Sequence, residues 1–254
     1  MFKHIIARTP ARSLVDGLTS SHLGKPDYAK ALEQHNAYIR ALQTCDVDIT
    51  LLPPDERFPD SVFVEDPVLC TSRCAIITRP GAESRRGETE IIEETVQRFY
   101  PGKVERIEAP GTLDGGDVLK VGETVYVGRG GRTNGDGIRQ LRAILAPHGM
   151  NVIAVPITKV LHLKSAVTAL PDGTIIGYEP LVDDTRVFDR FRPVPEESGA
   201  HVVDLGDGRL LMAADAPRSA ELFRDLGYDP VLVDIGEFQK LEGCVTCLSV
   251  RLRR

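Results

Sequence analysis

The sequence lacks long apolar stretches. Its 254 residues contain no run of about 18 apolar side chains, the length that a membrane-spanning helix requires. Residues 1–12 reach charged side chains within a few positions and contain no apolar segment of the kind found in secretory signal peptides. We therefore expect neither insertion into a membrane nor secretion.

Linkers and biased tracts are also missing. No Pro-, Gly- or Ser-rich segment divides the chain, and 42% hydrophobic with 27% charged residues is typical of a globular protein. The net charge of −6 arises from acids and bases mixed throughout. The basic run 251–254 is too short to indicate a nucleic-acid partner, and we interpret it as a solvated tail. We expect one domain over residues 1–254.

Cysteine is scarce, with five residues at 45, 70, 74, 244 and 247. An odd number at irregular spacing does not indicate a disulfide framework, so we expect a reducing, cytoplasmic environment. Cys244 and Cys247 form a CxxC motif, but the sequence adds no second cysteine pair or closely spaced histidine pair after it. The motif alone supplies two of the four ligands of a structural zinc site. A metal or redox pair, a buried structural pair and a single reactive thiol all remain open.

Hydrophobic periodicity predicts four helices, over residues 27–43, 86–99, 135–147 and 217–226. Short β-rich runs separated by turns predict hairpins that pair 62–70 with 75–78, 117–121 with 124–127, 166–170 with 174–177, and 201–205 with 209–213. Single strands are predicted at 47–52, 104–108, 152–157 and 230–235.

The order hairpin, helix, strand therefore recurs about every 40–50 residues, which indicates a repeat architecture. Five such units fit if the first strand, residues 3–8, completes the last unit around Val245–Val250. We predict an α/β fold in the form of a closed, five-bladed, pseudo-symmetric propeller. An open α/β sheet is the alternative.

Reactive side chains occur at corresponding places in these units. Glu65, Asp114 and His162 are separated by 49 and 48 residues, and Cys247 lies in the last unit. Corresponding positions in a ring converge on its axis, so these side chains can form one site. A thiolate attacks well and needs a partner for its proton, and His162 is the candidate for that partner. A buried core histidine is the alternative interpretation.

Acids surround the apolar segment Val62–Val64. Asp60 precedes the segment and Glu65 and Asp66 follow it, so a buried strand here would place the acids at its ends. Carboxylates in such positions can bind a cation such as a guanidinium through charge-assisted hydrogen bonds. A solvated surface strand is the alternative.

Two further loops carry charged groups. Asp114 lies in a Gly-Gly turn and could orient His162 and stabilise its positive charge, although such a turn also occurs for structural reasons alone. Arg132 follows a predicted strand in a glycine-rich loop that lacks the phosphate-loop pattern. Arg85 occupies the corresponding place one unit earlier, and the two arginines suit a carboxylate. Exposed arginines without a ligand are the alternative.

These motifs together resemble the dimethylarginine dimethylaminohydrolase family of the guanidino-modifying superfamily, over essentially the whole chain. The segments that carry the resemblance are 58–66, 77–82, 113–117, 161–164 and 247–249. The resemblance implies a five-bladed propeller of the pentein type, a single catalytic domain, no cofactor and no metal, and it is compatible with a homodimer. It implies hydrolysis of Nω-methylated arginines to citrulline and a methylamine through a covalent S-alkylthiouronium intermediate.

The resemblance also implies roles for individual residues. The catalytic residues would be Cys247 as nucleophile, His162 as general acid and base, and Asp114. The substrate would be bound by Leu18 in a lid-like segment, Asp60, Glu65 and Asp66 on the guanidinium and amine side, Arg85 and Arg132 at the carboxylate, and Leu241 beside the nucleophile loop. Some family members carry Glu in place of Asp114, so the shorter side chain is expected to reach His162 through a shifted backbone. Cys244 takes a position often held by glycine, and we interpret it as incidental.

Other activities in the same superfamily remain alternatives. Arginine and agmatine deiminases carry a His-x-Asp pattern, whereas this chain has His162-Leu163-Lys164, and those enzymes are usually longer. Amidine transfer would need an amine acceptor. A non-catalytic arginine-binding module is the alternative outside enzymes, and the presence of both Cys247 and His162 disfavours it.

Overall fold

The computed structural model describes residues 2–252, which form fifteen β-strands and five α-helices. The helices are α1 (Tyr28–Gln43), α2 (Thr89–Gln97), α3 (Gly135–Leu145), α4 (Pro217–Asp225) and the short α5 (Gly236–Gln239). The strands are β1 (His4–Arg8), β2 (Asp48–Leu52), β3 (Val68–Cys70), β4 (Ala75–Ile77), β5 (Val104–Arg106), β6 (Val118–Val121), β7 (Thr124–Arg129), β8 (Asn151–Pro156), β9 (Val167–Ala169), β10 (Ile175–Gly177), β11 (Phe191–Pro193), β12 (Val202–Gly206), β13 (Arg209–Ala213), β14 (Asp229–Val233) and β15 (Val250–Leu252).

Within residues 2–252 the strands form five three-stranded sheets that share one plan. In each sheet the middle strand pairs antiparallel with one neighbour and parallel with the other. An antiparallel neighbour can follow a tight turn, whereas a parallel neighbour needs a crossover connection. Helices α1, α2, α3 and α4 supply that crossover in four of the sheets. The predicted hairpin, helix, strand unit is thereby confirmed.

The local sequence accounts for these helices. The carboxylate of Asp27 accepts a hydrogen bond from the Lys30 N–H, and the Asn134 side chain accepts one from the Gly137 N–H. These contacts satisfy amides that have no partner inside the helix. Pro217 begins α4, where its missing N–H costs no helical hydrogen bond. The predicted helices therefore begin within a few residues of the observed ones.

The apolar core consists of five clusters that each join two successive sheets. One cluster joins β1 and β15 to β3 and β4, and the next three join the second sheet to the third, the third to the fourth and the fourth to the fifth. The remaining cluster packs β12 and β13 against β1 and α1, so the ring closes. The closed five-bladed propeller is confirmed, and the open sheet is excluded.

Closure depends on residues at both ends of the chain. Strand β1 pairs antiparallel with β15, with Ile6 opposite Val250, and parallel with β2. The predicted assignment of residues 3–8 to the last unit is therefore correct. The partner strand, however, is Val250–Leu252, and residues 245–248 of the predicted segment form a turn.

The first strand of each hairpin faces the axis of the ring. Strands β3, β6, β9, β12 and β15 all contribute residues to one axial cavity. The turns that enter these five strands consequently meet at the same end of the axis. This geometry brings residues that are far apart in sequence into one place.

Three local expectations were wrong. Residues 62–66 form turns rather than a strand, and β3 begins only at Val68, after Pro67; proline cannot donate to a strand ladder. In the fourth sheet, 3-10 turns replace the α-helix within the described residues, and they lead to β11, which the sequence analysis did not predict. Arg251 lies in β15 and binds Glu65, so it is not part of a solvated tail; residues 253 and 254 lie outside the described range.

None of the helices in residues 2–252 has the length and apolar character needed to span a bilayer.

Candidate active site

One pocket collects most of the side chains that the sequence singled out. Eight of the ten predicted site residues line it: Leu18, Asp60, Asp66, Arg85, Arg132, His162, Leu241 and Cys247. They lie mainly on the turns that enter the axial strands and on the loops that follow the middle strands. The other two, Asp114 and Glu65, lie next to the pocket residues and are described below.

Cys247 lies in the turn that leads into β15. The Cys247 N–H donates to the Cys244 carbonyl over 3.1 Å, and its own carbonyl accepts from the Glu65 N–H over 3.3 Å. The residue is 8% exposed. A hydrogen bond to Cys244, burial and the nearby negative charges of Glu65 and Asp66 raise the pKa of the Cys247 thiol well above its usual value. Cys247 is therefore a thiol in the free protein at neutral pH.

His162 is held at the entry to β9 by a carboxylate. Its Nε2 donates to Oδ2 of Asp114 over 2.9 Å, and its Nδ1 is 3.9 Å from Oδ1 of Asp66. Burial opposes the charged imidazolium, but Asp66, Asp114 and Asp117 outweigh it and raise the pKa of His162 to about 9. His162 is therefore a cation at neutral pH. Because Asp114 binds Nε2, the Nδ1 proton is available for transfer, as a general acid requires.

The aspartate at 114 reaches His162 without difficulty. Asp114 is fully buried, and its other oxygen accepts a hydrogen bond from the Gly81 N–H over 2.8 Å. A second cation, Arg132, approaches the same carboxylate at 3.4 Å. The short side chain is thus compatible with the orienting role that the sequence predicted.

Glycine allows Asp66 and His162 to lie against the Gly115-Gly116 turn. The Gly116 N–H donates to Oδ1 of Asp66 over 2.9 Å. A Cβ at Gly116 would lie 2.7 Å from His162 Nδ1 and 2.8 Å from that same Asp66 oxygen. A Cβ at Gly115 would collide with the Glu65 carbonyl at 1.9 Å. The glycine pair is required by close packing around the site, not only by the turn.

Arg85 is fixed by five acceptor atoms on four residues. Its Nη1 donates to Asp66 over 2.6 Å, its other nitrogens bind both oxygens of Glu88, and Nη2 also approaches the carbonyls of Asp60 and Phe63. Burial works against the charge of Asp66, but His162 and Arg85 outweigh it and lower the pKa of this carboxyl to about 2. Asp66 is therefore ionised throughout the physiological range.

Leu18 and Leu241 line the same pocket as Cys247. The Leu18 N–H donates to Asp60 over 3.0 Å, while the Leu18 side chain is 41% exposed. Gly17 lies so close to Leu241 that a Cβ there would be 2.7 Å from its Cδ1. Burial raises the pKa of Asp60. The lid-like position predicted for Leu18 agrees with this arrangement.

Glu65 faces the axial cavity instead of the pocket. Its Oε1 accepts from Lys164 over 2.6 Å and from Arg251 over 2.7 Å. Arg251 also donates to the carbonyls of Thr246 and Ser249. This ion network holds both ends of the nucleophile turn, and we find Glu65 beside the site rather than within it.

The comparisons with known proteins agree with this geometry. Residues 50–215 match the family model described as arginine deiminase. The N(G),N(G)-dimethylarginine dimethylaminohydrolase of Pseudomonas aeruginosa is 63% identical over 254 residues, covering 99% of this chain and 100% of that protein. The chain belongs to the arginine deiminase family, in its dimethylarginine dimethylaminohydrolase branch.

Crystal structures of dimethylarginine dimethylaminohydrolases superpose closely on the chain. One, a histidine-to-glycine variant, is an adduct with S-methyl-L-thiocitrulline; it is 62% identical with a TM-score of 0.94 and coverage of 99% of this chain and 100% of that one. Another, a cysteine-to-serine variant from Pseudomonas aeruginosa, is complexed with citrulline, at 62% identity, a TM-score of 0.93 and the same coverage. The ring described above is therefore the fold of this hydrolase branch.

The sequence assigned no role to three residues near the site, which are Asp117, Arg251 and Cys244. Asp117 is fully buried, accepts the Leu163 N–H over 2.9 Å, and adds negative charge beside His162. Arg251 was interpreted as solvated, and Cys244 as incidental. Asp117 follows Asp114 by one helical turn, a spacing that could have drawn attention to it; the contacts of Arg251 and Cys244 depend on the fold.

One group among the described residues has the geometry of a metal site. Ligand atoms of Asp66, Asp114 and His162 lie within 4.8 Å of one another. A metal needs a neutral imidazole, whereas His162 keeps its proton up to about pH 9. Asp66 is also already paired with Arg85. These side chains fit a protonated histidine better than a metal, and the absence of a metal cofactor stays a prediction.

Proposed function

We propose that this protein hydrolyses asymmetric dimethylarginine and monomethylarginine to citrulline and dimethylamine or methylamine. The observation that carries the proposal is a buried cysteine and a protonated histidine in one pocket with several carboxylates. The named activity of the 63% identical relative supports it, as do the citrulline complex and the thiocitrulline adduct of the similar crystal structures.

The pocket suits a substrate with a cation at one end and a carboxylate at the other. Asp60 and Asp66 are assigned to the guanidinium, where charge-assisted hydrogen bonds are strong. Glu65, which is bound to Lys164 and Arg251, supports the Cys247 turn behind them. Arg132, which is held less tightly than Arg85, is assigned to the carboxylate together with Arg85. Leu18 and Leu241 exclude water from the reacting carbon.

The chemistry begins at sulfur. The cationic substrate favours the thiolate of Cys247, which attacks the guanidinium carbon to give a tetrahedral adduct. His162 donates its proton to the departing amine and leaves an S-alkylthiouronium on Cys247. The neutral His162 then removes a proton from water, and the hydrated adduct collapses to citrulline. Asp114 keeps His162 oriented and stabilises its positive charge. Every step is assigned to side chains, without a cofactor.

The deciding measurement is citrulline formation from asymmetric dimethylarginine, monomethylarginine, arginine and agmatine at equal concentrations. We expect the two methylated arginines to be hydrolysed faster than the others. Faster turnover of arginine would favour the deiminase activity that gives the broader family its name and would overturn the proposal.

We also expect Cys247→Ser to reduce turnover by at least about 10³-fold, because the hydroxyl is a much weaker nucleophile.

We further propose that the enzyme works in the cytoplasm. Cys45, Cys74, Cys244 and Cys247 form no disulfide in the described structure, and a nucleophilic thiol is maintained most easily in a reducing compartment. Detection of activity in the soluble fraction and not in the culture medium of the native host would test this location.

A further inference from the structure

Cys244 lies directly behind the nucleophile. Its Sγ is 3.2 Å from the Sγ of Cys247, which is within hydrogen-bonding distance for sulfur. Cys247 lines the substrate pocket, whereas Cys244 is 3% exposed and is not among the described residues that line it. Substrate can therefore reach one sulfur of the pair, and the other contacts only the protein.

The two sulfurs have opposite electrostatic surroundings. The Cys244 sulfur lies 3.2 Å from the Thr246 hydroxyl and also interacts with the Thr246 backbone N–H. His201, at the entry to β12, adds electrostatic attraction for a negative charge on Cys244. Cys247 instead faces the carboxylates of Glu65 and Asp66. The polar groups thus favour negative charge on Cys244 and disfavour it on Cys247.

Other charged and titratable groups also lie near the pair. His162 is a cation that lines the same pocket as Cys247, but Asp114 at 2.9 Å and Asp66 at 3.9 Å offset its charge. Arg251 faces Cys247, but its guanidinium is bound to Glu65, which cancels much of its charge. Tyr38 interacts with Cys247 and donates its hydroxyl to the Val245 carbonyl; burial raises its pKa above that of free tyrosine, so it is neutral.

The pKa directions agree with the contacts. The hydrogen bond from Cys247 lowers the pKa of Cys244 well below its usual value against the effect of burial, with help from His201 and Thr246. The same bond, burial and the carboxylates raise the pKa of Cys247. A hydrogen-bond donor next to a sulfur favours its thiolate.

We propose that Cys244 is a second catalytic thiol, which carries the negative charge of the pair in the free enzyme and accepts the proton of Cys247 when substrate binds. The assignment rests on the proposed nucleophilic role of Cys247. It gives the nucleophile an acceptor for its proton other than His162, which is already protonated. His162 can then serve as the acid for the amine in the same turnover.

The proton balance closes over one turnover. The Cys247 proton moves to Cys244, and the electron pair left on Cys247 forms the bond to carbon while the C=N electrons pass to the substrate nitrogen. His162 protonates the amine as the C–N bond breaks, and later regains a proton from water. When the C–S bond breaks, its electrons return to Cys247, which takes back the proton from Cys244. The second proton of the attacking water leaves to solvent with the amine.

The first test needs no substrate. Thiolate absorbance is followed against pH under reducing conditions for the wild type, Cys244→Ala, Cys244→Ser and Cys247→Ser. The control is Cys45→Ala, which removes a thiol from the same core cluster. We expect one thiolate to persist well below pH 8.5, the usual pKa of a cysteine, in the wild type, the control and Cys247→Ser, and to be lost in both Cys244 variants. A wild type without this thiolate, or Cys244 variants that keep it, would overturn the proposal.

The second test uses turnover. Both Cys244 variants are expected to lose at least about tenfold in kcat with little change in KM, because proton transfer is impaired while the pocket is intact. Serine preserves the shape of cysteine, so full activity in Cys244→Ser would show that packing alone matters and would contradict the assignment. If the wild type forms no citrulline from any substrate, the proposed function fails, and the absorbance measurement still decides whether Cys244 holds the charge.

Discussion

The protonation of His162 depends on carboxylates that come from two different turns. Asp66 enters from the turn before β3, whereas Asp114 and Asp117 enter from the turn before β6. Together they keep the imidazole charged up to about pH 9 despite its burial. The hydrogen bond to Cys244, burial and the charges of Glu65 and Asp66 raise the pKa of Cys247 and keep it protonated. In the proposed mechanism the free site therefore holds an acid for the leaving group and a nucleophile that substrate must activate.

Replacing Asp114 by Asn should separate these effects. We expect the basic limb of kcat/KM to move down from about pH 9 by about one to two pH units, the equivalent of one charge-assisted hydrogen bond. Turnover should fall about two- to tenfold at about pH 8, because more His162 is neutral there. Citrulline release measured between about pH 6 and pH 10 checks both expectations. Asp114→Glu keeps the charge and is the control; an unmoved limb in Asp114→Asn would contradict the role.

The same pKa has a consequence for folding with a defined sign. The pKa of His162 rises from 6.5 in a solvated reference to about 9 in the folded protein. Its contribution to stability is therefore fully present below about pH 6.5 and is lost as the pH rises through about 9. The free energy of unfolding should decline across this window in the wild type and decline less in His162→Gln, as measured by denaturant titration at several pH values. An equal decline in both proteins would contradict the assignment of this loss to His162.

At the scale of elements, the Gly115-Gly116 turn sets the distance between Asp66 and His162. Gly116→Ala places a methyl group within 2.7 Å of His162 Nδ1, so the ring or the carboxylate has to move. Because catalysis depends on position, we expect kcat/KM to fall by about 10²-fold. Gly135→Ala is the matched control, since its Cβ meets nothing closer than 3.8 Å. Unchanged activity in Gly116→Ala would show that this contact does not constrain the site.

Sequence patterns predicted elements well where the pattern is local. The apolar stripe of α1 and the turn between β6 and β7 are both encoded by neighbouring residues, and both lie where they were expected. Residues 62–66 were wrongly predicted as a strand because their apolar side chains are buried by turns that pack against other sheets. Strand β11 has little apolar character of its own and is defined by its pairing with β10.

The site could likewise be predicted where the sequence pattern was sufficient, and not where the position of a side chain depends on the fold. The spacing of Glu65, Asp114 and His162 indicated convergence because a repeat maps equal positions onto one axis. The pattern could not separate Asp66, which faces the pocket, from Glu65, which faces the axial cavity, since adjacent residues differ only in side-chain direction. Nor could it pair Arg251 with Glu65, whose contact spans 186 residues.

At the scale of the whole molecule, stability and activity are linked through the closure of the ring. Ile6 is fully buried in β1 and lies opposite Val250, three residues after Cys247. We expect Ile6→Ala to reduce the free energy of unfolding by about 2–4 kcal/mol, and to lower kcat because β15 is packed less firmly. Leu232→Ala, at a 43% exposed position, should change stability by less than about 1 kcal/mol. Denaturant unfolding measures both, and equal effects in the two variants would contradict the argument.

The first sheet combines the earliest strand of the chain with the latest, and this has a consequence for synthesis on the ribosome. Strands β1 and β2 emerge long before β15, so the sheet lacks one strand until translation of this segment is complete. The histidine and the aspartates of the site are synthesised before the cysteine turn. The nascent chain therefore lacks its reactive sulfur until the segment that closes the ring has been made.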